Sequence, residues 1–243
     1  MLTAVMFYTI IPVGNRPFAD GMMGKSTRYY PLTGLLVAGI GVGVFLLASY
    51  TLPFMVAVAL SMASTTFVTG AFHEDGMADS CDGFGGGYTR TRILEIMKDS
   101  RIGTFGATGL FFVLLIKFSA LASLQPLCFP WVLMAAHGLS RVLPVVVIYS
   151  LNYARNDDGT SKIKSVSEKG SMGGLMVALF FGMAFLVFLP WKSVLLICVL
   201  LAVVYTIFVT YINKRIGGFT GDTLGALQQI SEVVFYLGFL MKA

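Results

Sequence analysis

Apolar residues in this chain fall into long unbroken blocks, not into the alternating or three-to-four spacing of half-buried elements. Seven blocks of 17 to 21 residues stand out: Leu32 to Tyr50, Phe54 to Phe72, Phe105 to Leu124, Trp131 to Leu151, Leu175 to Trp191, Val194 to Tyr211 and Leu224 to Leu240. A helix of ~20 apolar residues rising ~1.5 Å each crosses a hydrocarbon layer of ~30 Å. The pattern therefore predicts an all-α fold: a polytopic integral membrane helical bundle of about seven transmembrane helices plus short interfacial helices. Leu2 to Val13 is apolar but short, and it lacks the basic start of a secretory signal. It reads as an interfacial helix or, if tilted, as an eighth crossing. No repeat, low-complexity tract or long linker divides the chain, so residues 1–243 are expected to form a single membrane-embedded catalytic domain.

Composition agrees with this picture. At 56% hydrophobic and 12% charged residues, with a mean hydropathy of +0.82, the chain lies outside the range of soluble domains. Its basic residues are one-sided. With seven spans, the segments 14–31, 73–104, 152–174 and 212–223 share one face, which carries Arg16, Lys25, Arg28, Arg90, Arg92, Lys98, Arg101, Arg155, Lys162, Lys164, Lys169, Lys214 and Arg215. The opposite turns are nearly uncharged. Lys and Arg accumulate on the cytoplasmic side of membrane proteins, so this face is expected to be cytoplasmic, in a bacterial inner membrane. The net charge of +5 then reflects topology and anionic lipid in the bilayer, and no basic stripe with interleaved aromatics suggests nucleic acid. Cys81, Cys128 and Cys198 are widely spaced and indicate neither a zinc site nor a disulfide framework.

Against this background one segment departs sharply. His73-Glu74-Asp75-Gly76-Met77-Ala78-Asp79-Ser80-Cys81-Asp82-Gly83 holds four of the chain's twelve acidic residues. Mutual repulsion and desolvation oppose such crowding at a membrane boundary unless a divalent cation shares the carboxylates. On a helix, Asp75, Asp79 and Asp82 stand at i, i+4 and i+7, within an arc of roughly 60°. Glu74 points about 100° away, toward a second ion or a neighbouring helix. Glu74, Asp75, Asp79 and Asp82 are thus the candidate metal ligands. The run Gly83-Phe84-Gly85-Gly86-Gly87 is expected to end the helix at Gly83. A short amphipathic helix from Thr89 to Lys98 follows, and its N-terminus with the amides of Gly85 and Gly86 forms a candidate phosphate cradle. Lys98 and Arg101 are the candidate phosphate contacts, whereas Arg90 and Arg92 read as topological.

Other polar residues stand apart from this run. In Gly217-Gly218-Phe219-Thr220-Gly221-Asp222-Thr223, Asp222 either completes the metal shell or binds guanine or ribose; helix capping by Asp222 or Thr223 is the alternative. Arg141 and Glu232 fall inside predicted spans at a shared depth of roughly 15 Å, where pairing relieves the cost each incurs alone. Lys117 is expected to snorkel, and His137 to be a hydrogen-bonded interior residue. The polar loop Arg155 to Ser171 reads as a cover for a bulky substrate or a solvated connection. Gly34, Ala38, Gly39, Gly41 and Gly43 allow close helix contact within a chain or in a homo-oligomer.

The run from His73 to Gly87, continued by Leu94-Glu95-Ile96-Met97-Lys98-Asp99-Ser100-Arg101-Ile102-Gly103-Thr104-Phe105-Gly106, closely resembles the signature of the cobalamin synthase (adenosylcobinamide-GDP ribazoletransferase) family. Ile10-Ile11-Pro12-Val13 and the segment from Gly217 to Ala226 agree with it, so the resemblance spans almost the whole chain. It implies an integral membrane enzyme acting late in vitamin B12 assembly, with Mg2+ as its metal. The 3′-hydroxyl of α-ribazole, or of its 5′-phosphate, attacks the phosphate on the cobinamide side of adenosylcobinamide-GDP, and GMP leaves. One or two magnesium ions on the aspartates would neutralise the diphosphate, and Asp99 or His73 would take the hydroxyl proton. The acidic pattern also resembles that of the CDP-alcohol phosphotransferases, but Gly86 and Gly87 stand where their motif needs Ala and Arg. A cation transporter, the remaining alternative, is expected to place its carboxylates nearer mid-membrane.

Overall fold

A computed structural model of the protein describes residues 1–14, 22–155 and 171–241. Among these residues there is no strand, only an isolated parallel bridge between Tyr153 and Phe219. The helices are α1 Leu2–Tyr8, α2 Met22–Ser26, α3 Tyr30–Ala48, α4 Phe54–Val68, α5 Phe72–Gly86, α6 Arg90–Ile96 and α7 Thr104–Ala122. They continue as α8 Phe129–Ser140, α9 Val142–Ser150, α10 Met172–Met183, α11 Trp191–Ile216 and α12 Gly221–Leu240.

The bundle is that of a multi-pass membrane protein, with its polarity inverted relative to a soluble domain. Leu47, Phe180 and Val187 are more than two-thirds exposed on its outside, whereas Lys117, Arg141, Glu232, Gln228 and Gln229 are buried. Only 11% of the most apolar window of α11 is covered by protein, against 83% for the continuous span of α8 and α9. The first therefore lies on the outside of the bundle and the second forms its centre.

The expected count of about seven spans is not confirmed. Among the described residues four helical stretches are long and apolar enough to cross, or five if the bent pair α4 and α5 is one span. The predicted span ending at Phe72 breaks earlier. Gly70 (φ 62°) and Ala71 (φ 54°) both take the left-handed conformation, and α5 leaves α4 at 84°. That conformation costs an alanine roughly 1–2 kcal/mol, so the bend must be held by packing on either side. The block from Leu175 divides into the 12-residue α10 and a short 3-10 turn. In α12, 20 residues long, Asp222, Gln228, Gln229, Ser231 and Glu232 lower the hydropathy. Arg16, Lys162, Lys164, Lys169 and nearly all of the loop Arg155 to Ser171 lie outside the described residues.

Two glycines of α3 explain its packing. A side chain on Gly34 would strike the His137 carbonyl and Arg141, and one on Gly41 would strike Thr65 and Ser61, whereas Gly39 and Gly43 face open space. Close contact within the chain thus accounts for Gly34, Gly41 and the buried Ala38, and not for Gly39 or Gly43.

The bundle interior is held by a charged network that differs from the expected Arg141–Glu232 pair. Glu232 is met by Lys117 at 3.3 Å and His137 at 3.2 Å. It also accepts hydrogen bonds from Gln228 at 2.6 Å and Tyr236 at 3.0 Å, each one helical turn away. Arg141 is linked to it through His137, whose carbonyl accepts from the guanidinium at 2.9 Å. Lys117 does not snorkel. Its ammonium is buried and also donates to Gln229 at 2.7 Å, because α12 packs against α7 and brings polar partners to it.

Removing one member of such a network leaves an uncompensated charge. Lys117→Met is expected to lower stability by about 3–5 kcal/mol, and Lys117→Met/Glu232→Gln by less than the sum of the two single changes. Thermal unfolding in detergent checks this; strict additivity would show that the two side chains do not interact.

Candidate active site

The site is built by the crossing of α5 and α12. Gly76 and Gly225 lie at the crossing, where a side chain on Gly76 would collide with the Asp222 backbone. This brings Asp75 and Asp79 alongside Asp222, at the end of the bundle where α7 and α12 begin. Thr220 caps α12: its hydroxyl accepts the Thr223 N–H at 3.2 Å, while the Thr223 hydroxyl accepts the Thr220 N–H at 2.9 Å. With capping done by this reciprocal pair, the Asp222 carboxylate is available to other groups. It accepts from Arg155 at 2.7 Å and from the Thr220 hydroxyl at 3.3 Å. Arg155 arrives there because Ala154 donates to the Phe219 carbonyl at 2.8 Å and Phe219 donates to Asn152 at 3.0 Å, tying the end of one connection to the start of α12.

Like charges meet at this crossing. The Asp79 carboxyl is raised from 3.8 to about 7, by burial first and then by Asp75, Asp222 and Asp82, with Arg155 opposing. Such crowding, on oxygen donors alone, is the chemistry a hard divalent cation relieves. Asp75, Asp79 and Asp222 are the residues that would hold it. Among the described residues no three acidic, His or Cys side chains converge tightly enough to grip an ion as they stand, and Asp222 is engaged by Arg155.

The remaining acids of the motif point elsewhere. Asp82 accepts the amides of Gly103 at 2.7 Å and Gly106 at 2.8 Å, closing the positive end of α7. Glu74 is buried; one oxygen accepts from Gln229 at 3.0 Å and Thr66 at 3.3 Å, and the other has no partner among the described residues. His73 is sealed in the interior with Nε2 on the Tyr30 hydroxyl. Asp99 lies at the surface and is clasped by Arg101, whose Nη2 stands at 2.7 Å; these hydrogen bonds hold its carboxyl down at about 2.

The helix does not end at Gly83. It runs to Gly86, so Gly85 and Gly86 lie inside α5, with no loop to present their amides. The lack of a side chain at Gly85 lets the Phe105 ring pack against it, whereas a side chain on Gly86 would meet Ile96 only at ordinary contact distance. Lys98 lines a surface groove with Arg90 and Arg155. Neither arginine was expected at a site, since only the Tyr153–Phe219 bridge, a tertiary feature, carries Arg155 to Asp222 and exposes the Ala154 carbonyl to Arg90 at 2.8 Å. Gln228 and Gln229 were likewise missed, although two adjacent glutamines in an apolar block signal a buried polar contact.

Asp79 yields a pH prediction. Because its folded value lies above 3.8, ionisation opposes folding: the penalty is absent below about pH 4, grows with pH and is complete above about 7. In protein stripped of metal, Asp79→Asn is therefore expected to raise the melting temperature at pH 8 and leave it unchanged at pH 4. Equal shifts at both values would show that the carboxylate is not crowded.

Comparison with known proteins covers the whole of this architecture. The family model described as Cobalamin-5-phosphate synthase matches residues 1–240. An adenosylcobinamide-GDP ribazoletransferase of Shewanella frigidimarina is 43% identical over 238 residues, spanning 96% of this chain and 91% of the relative. Proteins of the same name from Leptothrix cholodnii and Vibrio parahaemolyticus are 42% and 40% identical, covering 98% and 97% of this chain and 93% and 89% of their own lengths. No solved structure matches. With nearly full coverage in both directions, the chain belongs to the cobalamin-5-phosphate synthase family.

Proposed function

We propose that this protein is an adenosylcobinamide-GDP ribazoletransferase, which joins α-ribazole or α-ribazole 5′-phosphate to adenosylcobinamide-GDP and releases GMP. The observation that carries this reading is the full-length match to relatives bearing that name. Its site is the acidic crossing of α5 and α12, set in the cytoplasmic face of a bacterial inner membrane. The basic residues around that crossing, Arg90, Lys98, Arg155 and Arg215, support the orientation.

The chemistry asked of the chain is mainly positioning and charge stabilisation. The attacking 3′-hydroxyl and the diphosphate must be brought together although the latter is strongly anionic. Asp75, Asp79 and Asp222 would hold a magnesium ion, which would supply charge neutralisation for the diphosphate. Arg155, already on Asp222, stands where it can share its guanidinium with a phosphate. Asp99 and His73 are the candidate proton acceptors, and each must first give up its present partner, Arg101 or Tyr30. Glu74 is placed to brace the crossing through Gln229. A CDP-alcohol phosphotransferase or a cation transporter finds no support among the relatives.

Purified protein given adenosylcobinamide-GDP, α-ribazole and magnesium is expected to release GMP in step with corrinoid product. Asp75→Asn and Asp79→Asn are each expected to lower kcat by roughly 10²–10³-fold, as loss of one preorganised electrostatic contact does. Absence of GMP release, with CMP released from a CDP-alcohol instead, would overturn the reading.

A further inference from the structure

Beside the acidic crossing lies a groove of about 380 Å³, walled by Arg90, Lys98 and Arg155, with Leu94 and Glu95 on its α6 side. We infer that this groove is the seat of the departing nucleoside monophosphate, with its phosphate between Arg155, Arg90 and Lys98. The inference rests on the transfer reaction proposed above and adds to it the place where the leaving group is held.

Four observations point to it. First, one of the groove's arginines, Arg155, differs from ordinary surface cations. Arg92 and Arg101 are largely exposed and answered by Glu95 and Asp99 within three residues. The side chain of Arg155 is only 18% exposed. Second, Arg155 is incompletely satisfied: one terminal nitrogen serves Asp222, while its Nε is buried without a hydrogen-bond partner among the described residues. A buried guanidinium N–H is costly to leave unpaired, and a phosphate oxygen is the natural acceptor. Third, Arg90 is pinned by its bond to the Ala154 carbonyl at 2.8 Å, so two cations are held in place before any ligand arrives. Fourth, the groove adjoins the carboxylates through the Arg155–Asp222 pair at 2.7 Å.

Size decides which end of the donor enters. Small-molecule clefts run from ~300 to 1,000 Å³, and a volume of about 380 Å³ suits a mononucleotide and excludes a corrin macrocycle. The charges facing the groove are Arg90, Lys98 and Arg155 against Glu95 and Asp222. Glu95 is already paired with Arg92 at 3.2 Å, so the excess is positive.

In the reaction, the acceptor hydroxyl oxygen forms a bond to the phosphorus on the cobinamide side. The bond from that phosphorus to the bridging oxygen breaks, and the oxygen leaves with its electron pair as part of GMP. The hydroxyl proton is lost to a base or to water. The charge that accumulates on the departing phosphate is the charge the three cations meet.

GMP is the probe, titrated as ligand and as product inhibitor against protein in nanodiscs of uncharged or anionic lipid. Lys98→Ala and Arg90→Gln are each expected to weaken GMP roughly tenfold in both lipids, with the α-ribazole KM unchanged and with Lys98→Arg restoring affinity. GMP affinity within twofold of wild type in both variants, while the wild-type enzyme turns over, would sink the groove and leave the reaction standing. A loss seen only in anionic lipid would make the groove a headgroup contact and also overturn the inference. A wild-type protein that binds no GMP and releases none from adenosylcobinamide-GDP would remove the reaction and the groove together.

Discussion

The close crossing of α5 over α12 is the contact on which the rest of this structure depends. Because Gly76 and Gly225 present no side chains there, two acidic helix segments that repel each other are pressed together at one end of the bundle. Below them the same two helices share Glu74, Gln229 and Glu232 in hydrogen bonds. The outer end of the crossing is electrostatically unfavourable and the inner end is saturated with polar contacts. Stability and chemistry are thereby separated along one pair of helices.

The inner network also explains how a chain this apolar keeps one arrangement. In lipid, apolar side chains on neighbouring helices are not driven together as they are in water. Small-residue contacts at Gly34 and Gly41, and the bonds joining Lys117, His137, Arg141 and Glu232, supply the selectivity that apolar burial cannot. An alternative rotation of α7 or α12 would strand at least one charge in hydrocarbon, at a cost of several kcal/mol. The exposed outer surface of α11 needs no such device.

Much of this could be read from residue order. The length of the apolar blocks announced a helical membrane protein, and the crowding of Glu74, Asp75, Asp79 and Asp82 drew attention to the segment that forms the crossing. Local patterns failed where a distant element decides the outcome. Lys117 looked like a snorkelling residue because nothing nearby hints that α12 brings Gln229 and Glu232 to it. Gly85 and Gly86 resembled a loop because glycine disfavours helix, yet the helix runs to Gly86 with the Phe105 ring packed on Gly85. Arg155 was legible only as a basic residue opening a polar loop, since its place beside Asp222 depends on the bridge between Tyr153 and Phe219.

Asp82 occupies a place with unexpected reach. It clasps the first amides of α7, and Lys117 sits 13 residues further along the same rigid rod, roughly 20 Å away at ~1.5 Å per residue. A shift of that anchor would slide the rod and drag the ammonium off Gln229 and Glu232. Through α7, what happens to one carboxylate at the rim is felt in the depth of the bundle, as a tug on a mooring line is felt by the hull.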